Sequence, residues 1–309
     1  MTCQARCGTD GDDSLAVVIV TYNSAPVIGH LLDSLPAALG GQHAHVVVVD
    51  NGSMDDTCSV VARRTDCVLI RAENRGYSAG LNRGVRALPG DGPILLLNPD
   101  VWMHPGSVQA LMEGLAAPGT GVVVPRLIDE RGRLAFSRRR EPTLARALGL
   151  GRTGRPFLSE ADLDRNGYDS AGVTDWATGA VMLLSRSCYR DLDGWDESFF
   201  LYSEETDYCL RARDLGWVTR YEPAAVATHL GGHSGQSARI HSMQIVNRVR
   251  LYRRRHGPVA SAVYLLLAVA REMSWVARGR GDSMSALTAL LIPGSRPPEL
   301  GCSDRLIPR

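Results

Sequence analysis

Three carboxylates, Glu204, Glu205 and Asp207, follow an aromatic apolar run in the stretch FFLYSEETDYCLRARDLGW, residues 199–217. Acids crowded in this way can supply a general base, or they can simply begin a helix. Ser203 is suited to cap, acids in the first turn face the positive end of the helix dipole, and Gly216 gives a stop. Helical spacing sorts the three. Asp207 and Arg211 are four apart and can pair on one face, with Glu204 roughly on that side. Glu205 points about 200° away from Asp207, which leaves it as the candidate for an unpaired base.

Two further clusters could bind a charged ligand. ILLLNPD (94–100) delivers Asp100 at the end of an apolar strand, where one hard oxygen ligand can hold Mg²⁺ or Mn²⁺ whose other ligands are water and a diphosphate. A plain Asn-Pro turn accounts for the same residues. Asp50, in DNGS (50–53), ends an all-valine strand. Its carboxylate can accept the N–H of a pyrimidine ring, and Gly52 admits a close backbone approach. An Asx turn capping the next helix, with Asp55 and Asp56 at its start, is the alternative. His229, in the glycine-flanked loop ATHLGGHS, is either a metal ligand or a surface histidine, and His233 has a weaker claim. No GxGxxG follows the first strand and no GxxxxGK[ST] occurs, so the usual dinucleotide and P-loop signatures are missing.

The elements that must position these residues alternate. Apolar strands are expected at 15–20, 45–50, 67–70, 93–100 and 121–125, with amphipathic helices between them. That pattern predicts an α/β fold with a mostly parallel sheet covered on both faces, whose ligands bind beyond the carboxyl ends of the strands. TYN, DNGS, NRG and NPD all fall at such ends. After Arg126 a hairpin and an irregular insert are expected to about residue 170. Strand-like character then returns at 173–186, followed by the acidic helix, a strand at WVTRYEP and a loop at ATHLGGHS. Residues 239–285 read as a basic amphipathic helical tail, which up to Arg280 holds nine Arg against one acid, Glu272. Residues 286–309, rich in Pro and Gly, read as disordered.

Composition narrows the class. The 309 residues are 44% hydrophobic and 22% charged, with a formal net charge of +1, which disfavours a strongly basic nucleic-acid binder. All 34 basic residues are Arg, so no lysine chemistry is available. Seven scattered Cys with no CxxC pair fit a reducing compartment and argue against a disulfide framework or a zinc site. The leader, residues 1–14, is polar and lacks an apolar core, so no secretory signal is expected. No run of 18 apolar residues occurs, and PVASAVYLLLAVA (258–270) is too short to span a bilayer but suits an interfacial helix.

Six motifs occur in one order: TYN (21–23), DNGSMDD (50–56), NRGYSAGLNRG (74–84), LLLNPD (95–100), WATGA (176–180) and FFLYSEETDYCLR (199–211). Over residues 15–256 the chain resembles the family 2 glycosyltransferases of GT-A fold, in their rhamnosyltransferase-like branch. The resemblance implies a nucleotide-sugar-binding half at 15–125, an acceptor and catalytic half at 126–238, and inverting transfer from a nucleotide-diphosphate sugar with a divalent metal. It implies that Thr21, Asn23 and Asp50 bind the nucleotide, with Asn74, Arg75, Gly80 and Asn98 beside them. Asp100 matches the metal-binding acid of the family's DxD motif, Asn98 replaces that motif's first acid, and His229 matches a downstream metal-binding His. Glu204-Glu205 stands where the family has a Glu-Asp pair, which puts Glu205 in the role of base. Trp176 and Asp207 are expected on the acceptor side, although a core tryptophan explains WATGA equally.

Relatives of this branch often transfer L-rhamnose from its thymidine diphosphate donor to polyprenyl-diphosphate-linked GlcNAc. The expected partners are therefore a nucleotide sugar and a lipid-linked or glycan acceptor. The basic tail suits an anionic membrane surface or a lipid diphosphate, and a helix packed on the catalytic domain is its competing reading. Transfer of galactofuranose, glucose or GlcNAc is the alternative chemistry. A non-catalytic sugar-nucleotide-binding module would predict loss of Asp100 or of the Glu pair, and both are present.

Overall fold

The computed structural model describes residues 14–153, 155–231, 237–300 and 306. His233 and the polar leader up to residue 13 lie outside them. β1 (Leu15–Thr21) is buried at all seven positions because helices cover both faces of the sheet, which is why it reads as continuously apolar. α1 (Ala25–Leu39) starts with Pro26 in its first turn and buries Val27, Ile28, Leu31, Leu32 and Leu35. The alternation continues through β2 (Ala44–Asp50), α2 (Thr57–Ala62), β3 (Val68–Arg71), α3 (Tyr77–Ala87) and β4 (Ile94–Leu97). β5 (Val101–Met103), α4 (Ser107–Leu115) and β6 (Thr120–Ile128) complete the first half.

The second half contains β7 (Arg138–Arg139), α5 (Leu144–Ala147), β8 (Gly172–Val173), β9 (Trp176–Ala177), β10 (Val181–Leu184), α6 (Arg186–Asp191), α7 (Glu204–Asp214) and β11 (Val218–His229). The sheet runs β3-β2-β1-β4-β10-β6-β11-β5, with β8 also on β11. β10 is antiparallel to both β4 and β6, and β5 and β8 are antiparallel to β11. The other six strands share one direction, so the sheet is mostly parallel as expected. One face packs Ile28, Leu31, Val61, Val108 and Leu111. The other packs Leu81, Val85, Cys188, Tyr208 and Cys209.

Three expectations are corrected. The strand expected at 93–100 ends at Leu97. Pro99 cannot donate to a ladder, and the chain re-enters the sheet as β5, antiparallel to β11. Secondly, β11 does not stop at Pro223: it passes an irregularity between Glu222 and Val226 and continues to His229, so ATH is strand rather than loop.

The third correction concerns the tail. Helix α8 (Ala238–Arg255), α9 (Pro258–Val276) and α10 (Gly281–Leu291) form a three-helix unit around Val246, Tyr252, Tyr264, Ala286 and Ala289. Leu300 and Leu306 are buried in the same cluster, so residues 286–300 are ordered. Apolar side chains every three or four positions gave them a core to fill. Many arginines of the tail turn inward: Arg254 pairs with Asp196 at 2.7 Å and lies over the Phe199 ring, and Arg255 pairs with Asp214 at 2.8 Å. α9 is longer than its apolar stretch suggested, at 19 residues with mean hydropathy 1.4, which is long and apolar enough to cross a membrane by length and composition. Its Glu272 is nevertheless buried against His241 of α8 at 2.9 Å, while Val259, Val263, Leu266 and Met273 are exposed on the other side.

Candidate active site

Strand register brings the rim motifs together. Thr21 and Asp50 are direct partners at the ends of β1 and β2, and the Thr21 hydroxyl donates to Asp50 Oδ1 at 2.9 Å. Beyond β4, the Asn98 amide donates to the Ala180 carbonyl at 2.9 Å, which lays Asn98–Asp100 beside Thr178–Ala180. The β5–β11 ladder pairs Val101 with His229. That pairing places His229 Nε2 3.4 Å from Asp100 Oδ1. Two residues 129 positions apart in sequence thus become neighbours through one antiparallel ladder.

The wall opposite the rim is the chain that leads into α7. The Phe200 carbonyl accepts from the Tyr77 amide at 2.7 Å, and this crossing passes directly over Gly76. A Cβ on Gly76 would sit 2.6 Å from the Phe200 oxygen, and its φ of +99° is in the glycine region. Tyr202 and Ser203 follow with φ of +68° and +74°, conformations that cost energy without glycine and concentrate at functional sites. Asn247 of α8 holds this turn by donating to the Leu201 and Tyr202 carbonyls at 2.9 and 3.2 Å. The Ser203 side chain makes no capping bond, contrary to expectation, because its left-handed backbone does not present it to the helix start.

Rim and turn enclose a cavity of about 460 Å³. Of the residues expected from sequence, Thr21, Asn23, Asn74, Asn98, Asp100, Glu204 and Glu205 line it. Glu204 is on the cavity with Glu205 rather than on the side of Asp207, because the cavity wraps the N-terminal end of α7. Burial pushes the carboxyls of both glutamates up from the ordinary range, and for Glu204 the charge of Glu205 adds to the effect. Backbone bonds and the Arg139 guanidinium oppose the rise at Glu205. One oxygen of each glutamate, Oε2, is buried without a hydrogen-bond partner among the described residues. Gly179 of WATGA is the packing partner of this pair: a Cβ there would lie 3.3 Å from Glu205 Cβ.

Other expected residues lie elsewhere. Asp50 sits behind Thr21, not on the cavity wall, and accepts from the Ser53 amide at 2.9 Å and the Ser53 hydroxyl at 2.5 Å. Burial works to raise its pKa, but the bonds from Ser53, Cys58 and Thr21 outweigh it and hold the carboxyl below its usual range. Gly80 is a packing position on α3, where a Cβ would meet Val20 at 2.8 Å. Arg75 is exposed, 3.9 Å from Glu197. Trp176 is a core residue: its ring is buried, its Nε1 donates to the Arg140 carbonyl at 3.0 Å, and it does not line the cavity. Asp207 is taken up by Arg211 at 2.6 Å, whose other nitrogens bond the Leu192 and Gly194 carbonyls, so it anchors α7 and does not line the cavity.

Among the cavity residues that the sequence reading missed are Tyr77, Tyr202, Arg239 and Glu299. Tyr77 was within reach, since NRGY places it at the start of α3. Its hydroxyl donates to Asn98 Oδ1 at 2.7 Å. Burial, then the charges of Glu204, Glu205 and Asp100, push its pKa up. Arg239 and Glu299 pair with each other across the tail, and no local pattern signals that contact.

Among the described residues no group of three or more His, Cys, Asp and Glu side chains is placed to hold a metal ion. Asp100 and His229 form a pair, and an oxygen and a nitrogen donor side by side suit a divalent cation that takes its remaining ligands from a bound diphosphate and water.

A family model described as glycosyl transferase family 2 matches residues 16–173. The N-acetylglucosaminyl-diphospho-decaprenol L-rhamnosyltransferase of Mycobacterium tuberculosis is 31% identical over 240 residues, 72% of this chain and 78% of that protein. The mannosyltransferase PcManGT from Pyrobaculum calidifontis, in complex with GDP-Man and Mn²⁺, has a TM-score of 0.56 at 19% identity, over 92% of this chain and 81% of that one. S. aureus TarS 1–349, in complex with UDP-GlcNAc, has a TM-score of 0.55 at 15% identity, over 93% and 82% of the two chains. Both structures share the fold of this protein. The family match ends before WATGA and the glutamate pair, so the roles of those residues rest on geometry. With these similarities the chain belongs to the family 2 glycosyltransferases, as a GT-A enzyme of their rhamnosyltransferase-like branch.

Proposed function

We propose that the protein transfers L-rhamnose, with inversion, from a thymidine-diphosphate donor to a hydroxyl of a diphosphate-linked, lipid-borne acceptor, with Glu205 as the base. The observation that carries this reading is the convergence of the Glu204–Glu205 pair and Asp100 on one cavity whose other wall is the strand rim at Thr21, Asn23 and Asn74. The rhamnose donor and the lipid diphosphate come from the mycobacterial relative, whose name states that acceptor and that sugar. Other family 2 donors, the uridine-diphosphate forms of galactofuranose, glucose or GlcNAc, are separated from it by the experiment below.

Inverting transfer needs one group to remove the acceptor proton on the face opposite the leaving diphosphate. Glu205 has the properties for it: an oxygen without a partner, a raised proton affinity, and a neighbour, Glu204, that raises the cost of leaving both ionised. Asp100 and His229 would hold a Mn²⁺ or Mg²⁺ ion, which supplies charge neutralisation at the leaving diphosphate when bound. Tyr77 orients Asn98 beside Asp100. Asp50 keeps Thr21 and Ser53 in place under the nucleotide. The exposed apolar side of α9 suits shallow contact with the membrane that carries such an acceptor, at its cytoplasmic face.

The test is transfer from a panel of nucleotide sugars to a short polyprenyl-diphosphate-GlcNAc, with Mn²⁺ or with EDTA. Metal-dependent product from the thymidine-diphosphate rhamnose donor alone is expected. Product from a different donor discards rhamnose and keeps the mechanism, and metal-independent transfer discards the role given to Asp100 and His229.

A further inference from the structure

A second cavity, of about 370 Å³, shares Tyr202, Ser237 and Ile240 with the first as a common wall. Its other walls come from α8, α9 and the start of α10, and they bring Arg248, Arg271, Arg280 and His241 together with Glu272 and Asp282. Most of these charges are already engaged. Arg248 pairs with Glu160 and donates to the Tyr264 hydroxyl at 2.9 Å. Arg280 pairs with Asp282 at 2.9 Å, and His241 with Glu272 at 2.9 Å.

Arg271 differs. No hydrogen bond or ion pair reaches its guanidinium among the described residues, although burial disfavours its charge. A guanidinium stays protonated at any ordinary pH, so a partly desolvated one without an acceptor is a standing cost. That cost is removed by an anion with paired oxygens, to which a guanidinium bonds bidentately. An acceptor sugar presented to Glu205 must have its linking group leave the first cavity, and the shared wall at Tyr202 is where the second begins.

We propose that the second cavity is the subsite for the diphosphate of the acceptor, bound by Arg271, with the acceptor sugar reaching Glu205 past Tyr202. The inference rests on the transfer reaction proposed above and specifies where that reaction recognises its acceptor. The donor diphosphate is assigned to Asp100 and His229, so the two diphosphates occupy different cavities.

The experiment compares two acceptors in the full-length protein: short-chain polyprenyl-diphosphate-GlcNAc and a phosphate-free alkyl glycoside of GlcNAc. The wild type is expected to show the lower KM for the diphosphate acceptor. Arg271→Ala should raise that KM roughly tenfold, the value of one charge-assisted hydrogen-bonded contact, and close the gap between the two acceptors, while the donor KM stays as it was. Arg271→Lys should recover part of the loss. Inorganic pyrophosphate should inhibit the wild type competitively with the acceptor, and this inhibition should fall in Arg271→Ala. Equal KM values for the two acceptors in the wild type overturn the proposal while leaving glycosyl transfer intact, as does pyrophosphate competition with the donor alone. Absence of transfer by the wild type to either acceptor removes the parent reaction and this subsite with it. Should Arg271→Ala melt before assay temperature, Arg271→Gln and the wild-type pyrophosphate competition decide the question.

Discussion

The two sides of the cavity shift the proton affinity of their carboxylates in opposite directions. Asp50, behind the strand rim, is surrounded by donors that hold its proton affinity down, and it contributes structure. Glu204 and Glu205, across the cavity, each keep one buried oxygen without a hydrogen-bond partner among the described residues, and their proton affinity is raised. Burial alone therefore does not decide what an acid does. The hydrogen bonds that accompany burial decide the direction: many of them hold the proton affinity of the rim acid down, and few of them leave that of the glutamate pair raised.

That contrast can be broken first at Glu205. Glu205→Gln should lower transfer by about 10²–10⁴-fold, the usual range for a lost general base, with nucleotide-sugar affinity by calorimetry unchanged. Near-wild-type kcat in that variant would remove Glu205 from its role. Asp100→Asn should cost roughly 10²-fold and raise the metal concentration needed for half-maximal rate, since a divalent cation is worth several kcal/mol to a leaving anion. A rate loss with unchanged metal dependence would show that Asp100 acts otherwise.

Gly76→Ala sharpens the structural side, because it forces both a positive φ and a clash with the Phe200 backbone. It should destabilise by roughly 1–3 kcal/mol, read as a lower midpoint in urea, and weaken catalysis by shifting the turn into α7.

The two acid environments also predict opposite linkage. The glutamate pair has a folded pKa raised above the unfolded one, so its stabilising contribution is fully present below the unfolded pKa and is lost as pH rises through the folded pKa. Glu204→Gln should therefore raise Tm at pH 8 and leave it unchanged at pH 4. Asp50 has a lowered pKa, so its contribution is present above the unfolded value and lost as pH falls through the folded one. Asp50→Asn should lower Tm most near neutral pH, with a stability loss of about 1–3 kcal/mol for the stranded donors. If both variants shifted Tm in the same direction at pH 8, the contrast drawn between the two sides would fail.

Much of this protein was readable from its residues. Uninterrupted apolar strands such as LAVVIVT and ILLL, alternating with helices, specified a sheet buried on both faces, because only such a sheet leaves no polar side to a strand. The chemistry-bearing residues fell at the strand ends for the same reason, since nothing polar could be placed within the strands. Asp100 and the TYN cluster were found this way, and Glu205 was found from helical spacing. Trp176 and Asp207 were placed on the acceptor side because residue type does not reveal what a side chain will touch. Trp176 went to the core beside Arg140, and Asp207 to Arg211. Folding alone decided the rest: a ladder between β5 and β11 set His229 beside Asp100, an ordered tail brought Arg239 and Glu299 to the cavity, and the crossing of Phe200 over Gly76 fixed the turn that leads into the glutamates. Periodicity and turn chemistry are local properties and were written in the sequence, whereas desolvation and long-range pairing belong to the assembled chain, and in this protein they make the difference between an acid whose proton affinity is lowered and one whose proton affinity is raised.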